Sequence, residues 1–196
     1  MKAVICSKML PNNIKNSLLN EGFTLIEGSF STVIDNETRY HPDMLYFKLP
    51  SGKLLVSDKI SSVHNLDIFA AVEKTRTLQG AVYPKDCVLN CFMAEKHLIC
   101  GGYVADEIIE ECNKQSFEII KVKQGYAACS TVKVTPQAFI TADTGIAKAL
   151  INKQYDVLLV TNNGIELKGY SNGFIGGCAL TTDDAIYFTG DINKHT

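Results

Sequence analysis

A recurrence of about 43 residues constrains the fold of this chain more than any other feature. Asp43, Asp86, Cys129 and Cys178 fall into one column, at intervals of 43, 43 and 49 residues. Each lies at or beside the start of a short strand-like segment, and a second apolar run follows. A fixed period of 20–50 residues is typical of chains built from repeated supersecondary units.

The short apolar runs predict the first two strands of each repeat. We place first strands at 44–47, 87–90, 130–133 and 179–181, and second strands at 3–8, 53–58, 97–101, 138–143 and 185–191. The second runs end in small or polar turns, where Asp58, Asp143 and Asp191 are expected to cap the helices that follow.

Apolar stripes of helical period follow three of the second strands. They comprise Ile14, Leu18 and Leu19; Val104, Ile108, Ile109 and Cys112; and Ile146, Ala149 and Leu150. Third strands are predicted at 23–26, 117–120 and 157–160, which makes the repeat strand–strand–helix–strand. The second repeat is atypical: its helix is placed at 66–72 and its third strand is left unassigned.

These units predict one α/β domain over residues 1–196, with repeats at 1–28, 40–80, 83–123, 126–168 and 174–196. The first repeat lacks its first strand, and the last is incomplete because it stops after its second strand. An unpaired strand edge invites pairing with another chain. We therefore expect an uncovered edge or face in the last repeat, which a homo-oligomer would cover.

Composition narrows the functional classes. A hydrophobic fraction of 46% is typical of a globular chain, and a net charge of −2 gives no general attraction to nucleic acid or a membrane surface. Seven cysteines, several inside apolar runs, indicate buried thiols in a cytoplasmic protein. Cys87 and Cys91 lack the second ligand pair of a zinc site, and neither metal nor cofactor is predicted.

The repeats and three short motifs carry a resemblance to a known fold. Five strand–strand–helix–strand units resemble the pentein, or α/β-propeller, fold of arginine deiminases, dimethylarginine dimethylaminohydrolases and amidinotransferases. The stretch 172–179 (NGFIGGCA) is similar to the glycine-rich segment that carries their nucleophilic cysteine. The segments 41–44 (HPDM) and 188–195 (FTGDINKH) are similar to motifs of an uncharacterised bacterial family with this fold.

The resemblance implies a pseudo-fivefold propeller and a cysteine-dependent amidinohydrolase or amidinotransferase, with Cys178 as the nucleophile. A thiolate is a suitable nucleophile for a guanidine carbon when its pKa is lowered by a nearby charge or dipole. Gly176 and Gly177 would let substrate approach the backbone closely. The alternative is a buried thiol between glycines that serve packing. The resembling enzymes also keep a histidine in the preceding repeat, where this chain has 126–130 (YAACS).

The remaining candidates lie in the same column of the repeat. His41 is suited to acid–base chemistry and Asp43 to binding a guanidinium through two parallel hydrogen bonds. On a strand the two would share a face. The alternative is a strand-entry cap. Asp86 and Cys129 are candidates for substrate binding, or else structural groups at strand ends.

Two functional classes follow from these residues. The first is an enzyme, or a degenerate one, that acts on a small guanidino or amidine compound through Cys178 and carboxylates. The second is a non-catalytic propeller that binds a protein partner or a small ligand. They differ in whether a base reaches the Cys178 sulfur.

Overall fold

The computed structural model describes residues 2–195, which form thirteen strands and three α-helices in a mixed α/β fold. The strands assemble into small separate sheets of two or three strands, with no closed barrel among the described residues. The chain divides into two compact units, residues 1–89 and 90–196.

The first unit holds the first two repeats. Its elements are β1 (Lys2–Cys6), α1 (Asn12–Asn20), β2 (Phe23–Glu27), β3 (Tyr46–Lys48), β4 (Leu54–Val56) and β5 (Val72–Lys74). Strands β1 and β2 pair in parallel across α1. Strand β4 lies in the middle of the second sheet, antiparallel to β3 and parallel to β5.

The second unit contains two further three-stranded sheets and a final hairpin. Its elements are β6 (Phe92–Ala94), β7 (His97–Cys100), α2 (Asp106–Lys114), β8 (Glu118–Lys121), β9 (Thr131–Lys133), β10 (Ala138–Thr141), α3 (Thr144–Ile151), β11 (Asp156–Leu159), β12 (Ala179–Thr181) and β13 (Ile186–Phe188). The sheet orders are β6–β7–β8, β9–β10–β11 and β12–β13.

The same strand order recurs in every three-stranded sheet. The second strand is central, antiparallel to the first and parallel to the third. A parallel pair needs a crossover connection, which α2 and α3 supply in the third and fourth repeats. The predicted order strand–strand–helix–strand is therefore confirmed in those two repeats.

The helix predicted at 66–72 is wrong. That segment consists of turns that lead into β5 at Val72. Leu66 is buried, but Ile68 is 52% exposed, so the apolar residues do not form one buried stripe. A helix of a globular protein is held mainly by such a stripe, and this segment lacks it.

The first strand predicted at 87–90 is also misplaced. The apolar side chains there are buried, but the backbone forms a 3-10 turn (Lys85–Cys87) and a further turn, and the strand is β6. A short buried apolar run does not by itself distinguish a strand from a turn or helix. Asp43 likewise lies in a 3-10 turn (Pro42–Met44), so His41 and Asp43 do not share a strand face.

The three aspartates expected as caps behave differently. Asp143 is a true N-cap, because its carboxylate accepts a hydrogen bond from the Ile146 N–H at the start of α3. Asp191 caps only a 3-10 turn (Ile192–Lys194). Asp58 precedes no helix, and its carboxylate instead accepts the Gln79 backbone N–H at 2.7 Å.

One core cluster of the second unit lies where the third and fourth repeats meet. It contains Ile99, Phe139, Ile146 and Leu150, all nearly inaccessible, and the ring of Tyr155. By contrast, residues 176–195 are all half-buried or exposed. Within residues 2–195, no helix combines the length and the apolar character that crossing a lipid bilayer requires.

Candidate functional site

Cys178 ends a 3-10 turn (Gly176–Cys178) that leads directly into β12. It is half-buried, whereas the other six cysteines are buried. Burial raises the pKa of the Cys178 thiol, and a hydrogen bond with the Thr189 side chain acts in the opposite direction. The Thr189 backbone N–H also donates to the Cys178 carbonyl at 2.9 Å, which fixes the turn against β13.

Gly176 is required by close packing. A Cβ at this position would collide with the carbonyl oxygens of Ala128, Cys129 and Thr131. Those carbonyls belong to the turn before β9 and to the first residue of β9. The glycine therefore allows the fourth and fifth repeats to approach backbone to backbone. At Gly176 the structure shows the close packing that the alternative interpretation expects.

Gly177 has different surroundings. Its N–H donates to the Cys129 carbonyl at 3.1 Å, but a Cβ built on it would meet no atom within 4 Å. The residue is exposed and adjoins Cys178. Open space therefore lies beside the half-buried thiol, and a ligand group could occupy it.

Cys129 is held by Asn90, a residue that the sequence analysis missed. The Asn90 Nδ2 donates to the Cys129 Sγ at 3.0 Å, and the Cys129 N–H donates to the Asn90 Oδ1 at 3.1 Å. Both residues are buried. The sequence does contain a signal for it, because Asn90 is the single amide within the apolar run 88–92. A polar side chain buried in such a run requires hydrogen-bond partners.

The structure places His41, Asp43 and Asp86 in the first unit. His41 precedes the Pro42–Met44 turn, and its carbonyl accepts the Met44 N–H at 3.1 Å. Asp43 is half-buried and Asp86 is 7% exposed. The Cys87 thiol donates to the Asp86 Oδ1 at 3.2 Å, and burial together with this carboxylate raises the pKa of Cys87.

Gln79 joins the turns that carry the two aspartates. Its Nε2 donates to the carbonyls of Met44 and Asp86, both at 2.9 Å. Its Oε1 accepts the hydroxyls of Ser31 and Ser57 at 2.9 and 2.8 Å. The side chain is 2% exposed and makes four hydrogen bonds. A single polar residue leaves no periodic pattern, so sequence reasoning missed it.

The histidines of the second unit are engaged away from Cys178. His97 Nδ1 lies 2.6 Å from the Tyr155 hydroxyl, and its Nε2 lies 3.3 Å from the Glu118 carboxylate. His195 Nε2 lies 2.9 Å from the Thr161 carbonyl. The sequence analysis does not single out His97 or Tyr155, because their pairing depends on tertiary contact between two repeats.

The comparison with family models gives one match. The model of a family of unknown function (DUF6873) matches residues 5–196. The chain belongs to this family. No curated protein matches it.

The hydrogen bonds described above group the candidate residues of this DUF6873 protein into two clusters, one in each unit. Cys178, Gly176, Gly177 and Cys129 lie together in the second, and the turns of Asp43 and Asp86 meet at Gln79 in the first. Among residues 2–195, no group of three or more histidine, cysteine or acidic side chains is arranged to hold a metal ion. The chemistry open to the clusters is that of thiols, carboxylates and amides.

Proposed function

We propose that this protein binds a small guanidino or amidine compound, with Asp43 and Asp86 as ligands for the cation and Cys178 as the nucleophile of any reaction. We also infer that the five repeats are arranged around one axis, as in the pentein fold. The strand order that recurs in the three-stranded sheets supports this arrangement. In the last four repeats the column residue lies in a turn that precedes the first strand.

The observation that carries the proposal is the position of Cys178. It is the most accessible of the seven thiols, it lies beside the open space at Gly177, and it follows the glycine pair as the nucleophile does in the resembling enzymes. A carboxylate is the natural partner for a guanidinium, because parallel hydrogen bonds match the geometry of the two groups.

The reaction open to these groups is a hydrolysis in two steps. The Cys178 sulfur forms a bond to the guanidinium carbon, the carbon–nitrogen bond breaks, and ammonia leaves. Water then displaces the sulfur, which yields the ureido product and restores the thiol. The resting thiol has a raised pKa, so it needs a neighbouring positive charge to ionise, and a bound guanidinium supplies one.

Calorimetry with L-arginine and methylguanidine, with L-lysine as the matched cation, tests the binding. We expect the guanidino compounds to bind at least about tenfold more tightly than lysine, and Asp43→Asn or Asp86→Asn to remove that preference. Asp183→Asn, at an exposed position between β12 and β13, is the control. Equal affinity for arginine and lysine would refute the proposal.

Ammonia release tests the nucleophile separately. Cys178→Ala should abolish ammonia release while leaving arginine binding within a few-fold of the wild type. Cys6→Ala, at a buried thiol of the first unit, is the control. Ammonia release that persists in Cys178→Ala would remove Cys178 from the reaction.

A non-catalytic function is favoured by two observations on the second unit. The pKa of Cys178 is raised, and the histidines of this unit, His97 and His195, are hydrogen-bonded to other groups. In that case the chain is a propeller that binds a small ligand or a protein partner. The non-catalytic function is selected if the protein binds arginine but releases no ammonia, and if Cys178→Ala leaves the affinity for arginine unchanged.

A further inference from the structure

The segment that leads to Cys178 is held against the turn before β9, which we call the Cys129 turn (residues 126–130). The ring of Phe174 packs on the ring of Tyr126, with their centroids 5.9 Å apart. The Gly177 N–H donates to the Cys129 carbonyl at 3.1 Å. Because Gly177 directly precedes Cys178 in the chain, the place of Cys178 depends on the place of this turn.

A single side chain of the third repeat fixes the middle of the Cys129 turn. Asn90 lies just before β6 and makes two hydrogen bonds to Cys129. Its Oδ1 accepts the Cys129 N–H at 3.1 Å, and its Nδ2 donates to the Cys129 Sγ at 3.0 Å. Both residues are buried, at 1% and 5% exposed, so water does not compete for these bonds. A buried residue that is bonded through both its backbone and its side chain is restrained in position and in orientation.

Hydrogen bonds therefore lead from Asn90 to the backbone beside Cys178. Asn90 holds the Cys129 N–H, the Cys129 carbonyl holds the Gly177 N–H, and Gly177 is covalently joined to Cys178. On its other side, Cys178 is held by Thr189, whose N–H donates to the Cys178 carbonyl at 2.9 Å. Residues packed and bonded in sequence can transmit a displacement from one end to the other.

The chemistry of the amide fits this role. Asn90 stands in the apolar run 88–92, where an apolar side chain would fill a similar space without needing a partner. Burying an amide is costly unless its donor and acceptor are satisfied. What the amide of Asn90 supplies, and an apolar side chain could not, is the restraint on the Cys129 turn.

We propose that Asn90 is a positioning residue for Cys178, which it holds in its half-buried place through the Cys129 turn. Asn90 acts through Cys129 and Gly177, not on the reacting atoms. The importance of the position for catalysis rests on the proposed function, in which Cys178 is the nucleophile. The position itself is measurable without any substrate.

The pH profile of Cys178 alkylation tests the proposal. The full chain reacts with iodoacetamide, and mass spectrometry of the Cys178 peptide gives the rate at each pH. Asn90→Ala removes both bonds to Cys129, so the segment is released and the thiol becomes more exposed. Because burial raises the pKa of Cys178, we expect the midpoint to fall by about 0.5 pH unit and the rate at neutral pH to rise about threefold. A midpoint that stays in place or moves up overturns the proposal.

Two control variants separate positioning from general stability. Cys129→Ser keeps the backbone bond to Asn90 and offers a hydroxyl to its Nδ2, so the midpoint should stay at the wild-type value. Ile108→Ala truncates a fully buried side chain of α2 in the same unit and should lower stability without moving the midpoint. A shift in either control as large as that in Asn90→Ala overturns the proposal.

Asn90→Ser makes the same test if the alanine variant does not fold, because its hydroxyl keeps the site polar but is too short to reach the Cys129 N–H. The result is separable from the proposed function. A lowered midpoint in a protein that does not bind arginine supports the positioning and refutes the guanidino compound as ligand. Arginine binding together with an unmoved midpoint in the Asn90 variants refutes the positioning alone.

Discussion

The fourth and fifth repeats begin alike and end differently. Each starts with a turn followed by an antiparallel pair, β9–β10 in one and β12–β13 in the other. The fourth adds α3 and β11, and its Phe139, Ile146 and Leu150 are at most 1% exposed. No side chain of residues 176–195 is fully buried. Helix α3 therefore accounts for much of the apolar burial in the fourth repeat. Within residues 2–195 the fifth repeat, which carries the candidate nucleophile, has no such helix.

Core truncation should give the largest difference between the two repeats. Phe139→Ala removes a ring packed against Phe92 and Tyr155, and we expect the free energy of unfolding to fall by about 3–5 kcal/mol. Leu180→Ala in β12 removes a half-buried side chain and should cost less than about 1.5 kcal/mol. Urea denaturation measures both, and equal losses would contradict the comparison.

The glycine pair should give the next largest difference. Gly176→Ala places a methyl group against three carbonyl oxygens, and overpacking of this kind costs about 1–3 kcal/mol. Gly177→Ala adds the same methyl group in open space and should change stability by less than about 0.5 kcal/mol. Thermal unfolding of the two variants side by side checks this. A cost at Gly177 as large as that at Gly176 would mean that the space beside Cys178 is filled.

The pH dependence of alkylation should show the smallest effect. Because burial raises the pKa of Cys178, its thiolate forms only at a higher pH than that of an exposed cysteine. The rate of reaction with iodoacetamide should therefore have its midpoint above that of the same cysteine in denatured protein. Thr189→Val removes the side-chain hydrogen bond that lowers this pKa and should move the midpoint further up. A midpoint below that of the denatured thiol would contradict the assignment.

The sequence specified the repeat better than it specified the site. The second strands and all three helices were predictable, because apolar side chains recur there at the period of a strand or helix. The first strand of the third repeat was misplaced because buried apolar side chains at 87–89 occupy a turn. The apolar period indicates which residues are buried, but burial alone does not determine whether the backbone forms a strand or a turn.

The residues that organise the candidate site were less visible. Cys178 and the glycines could be found from a motif, but Gln79 and Asn90 could not. Each is a single buried amide whose partners lie between 7 and 48 residues away along the chain. Hydrogen bonds between residues so far apart in the sequence depend on the finished fold, so no local sequence pattern predicts them.

Hydrogen exchange of the native protein tests most directly the claim that the fourth repeat is firmly packed and the fifth is open. Amides of β10 and α3 should exchange only through opening that disrupts the core. Amides of β12 and β13 should exchange through local opening, at least about tenfold faster, which corresponds to a difference of roughly 1.4 kcal/mol in opening free energy. Equal protection of the two repeats would contradict the account, because it would show that the fifth repeat is as well packed as the fourth.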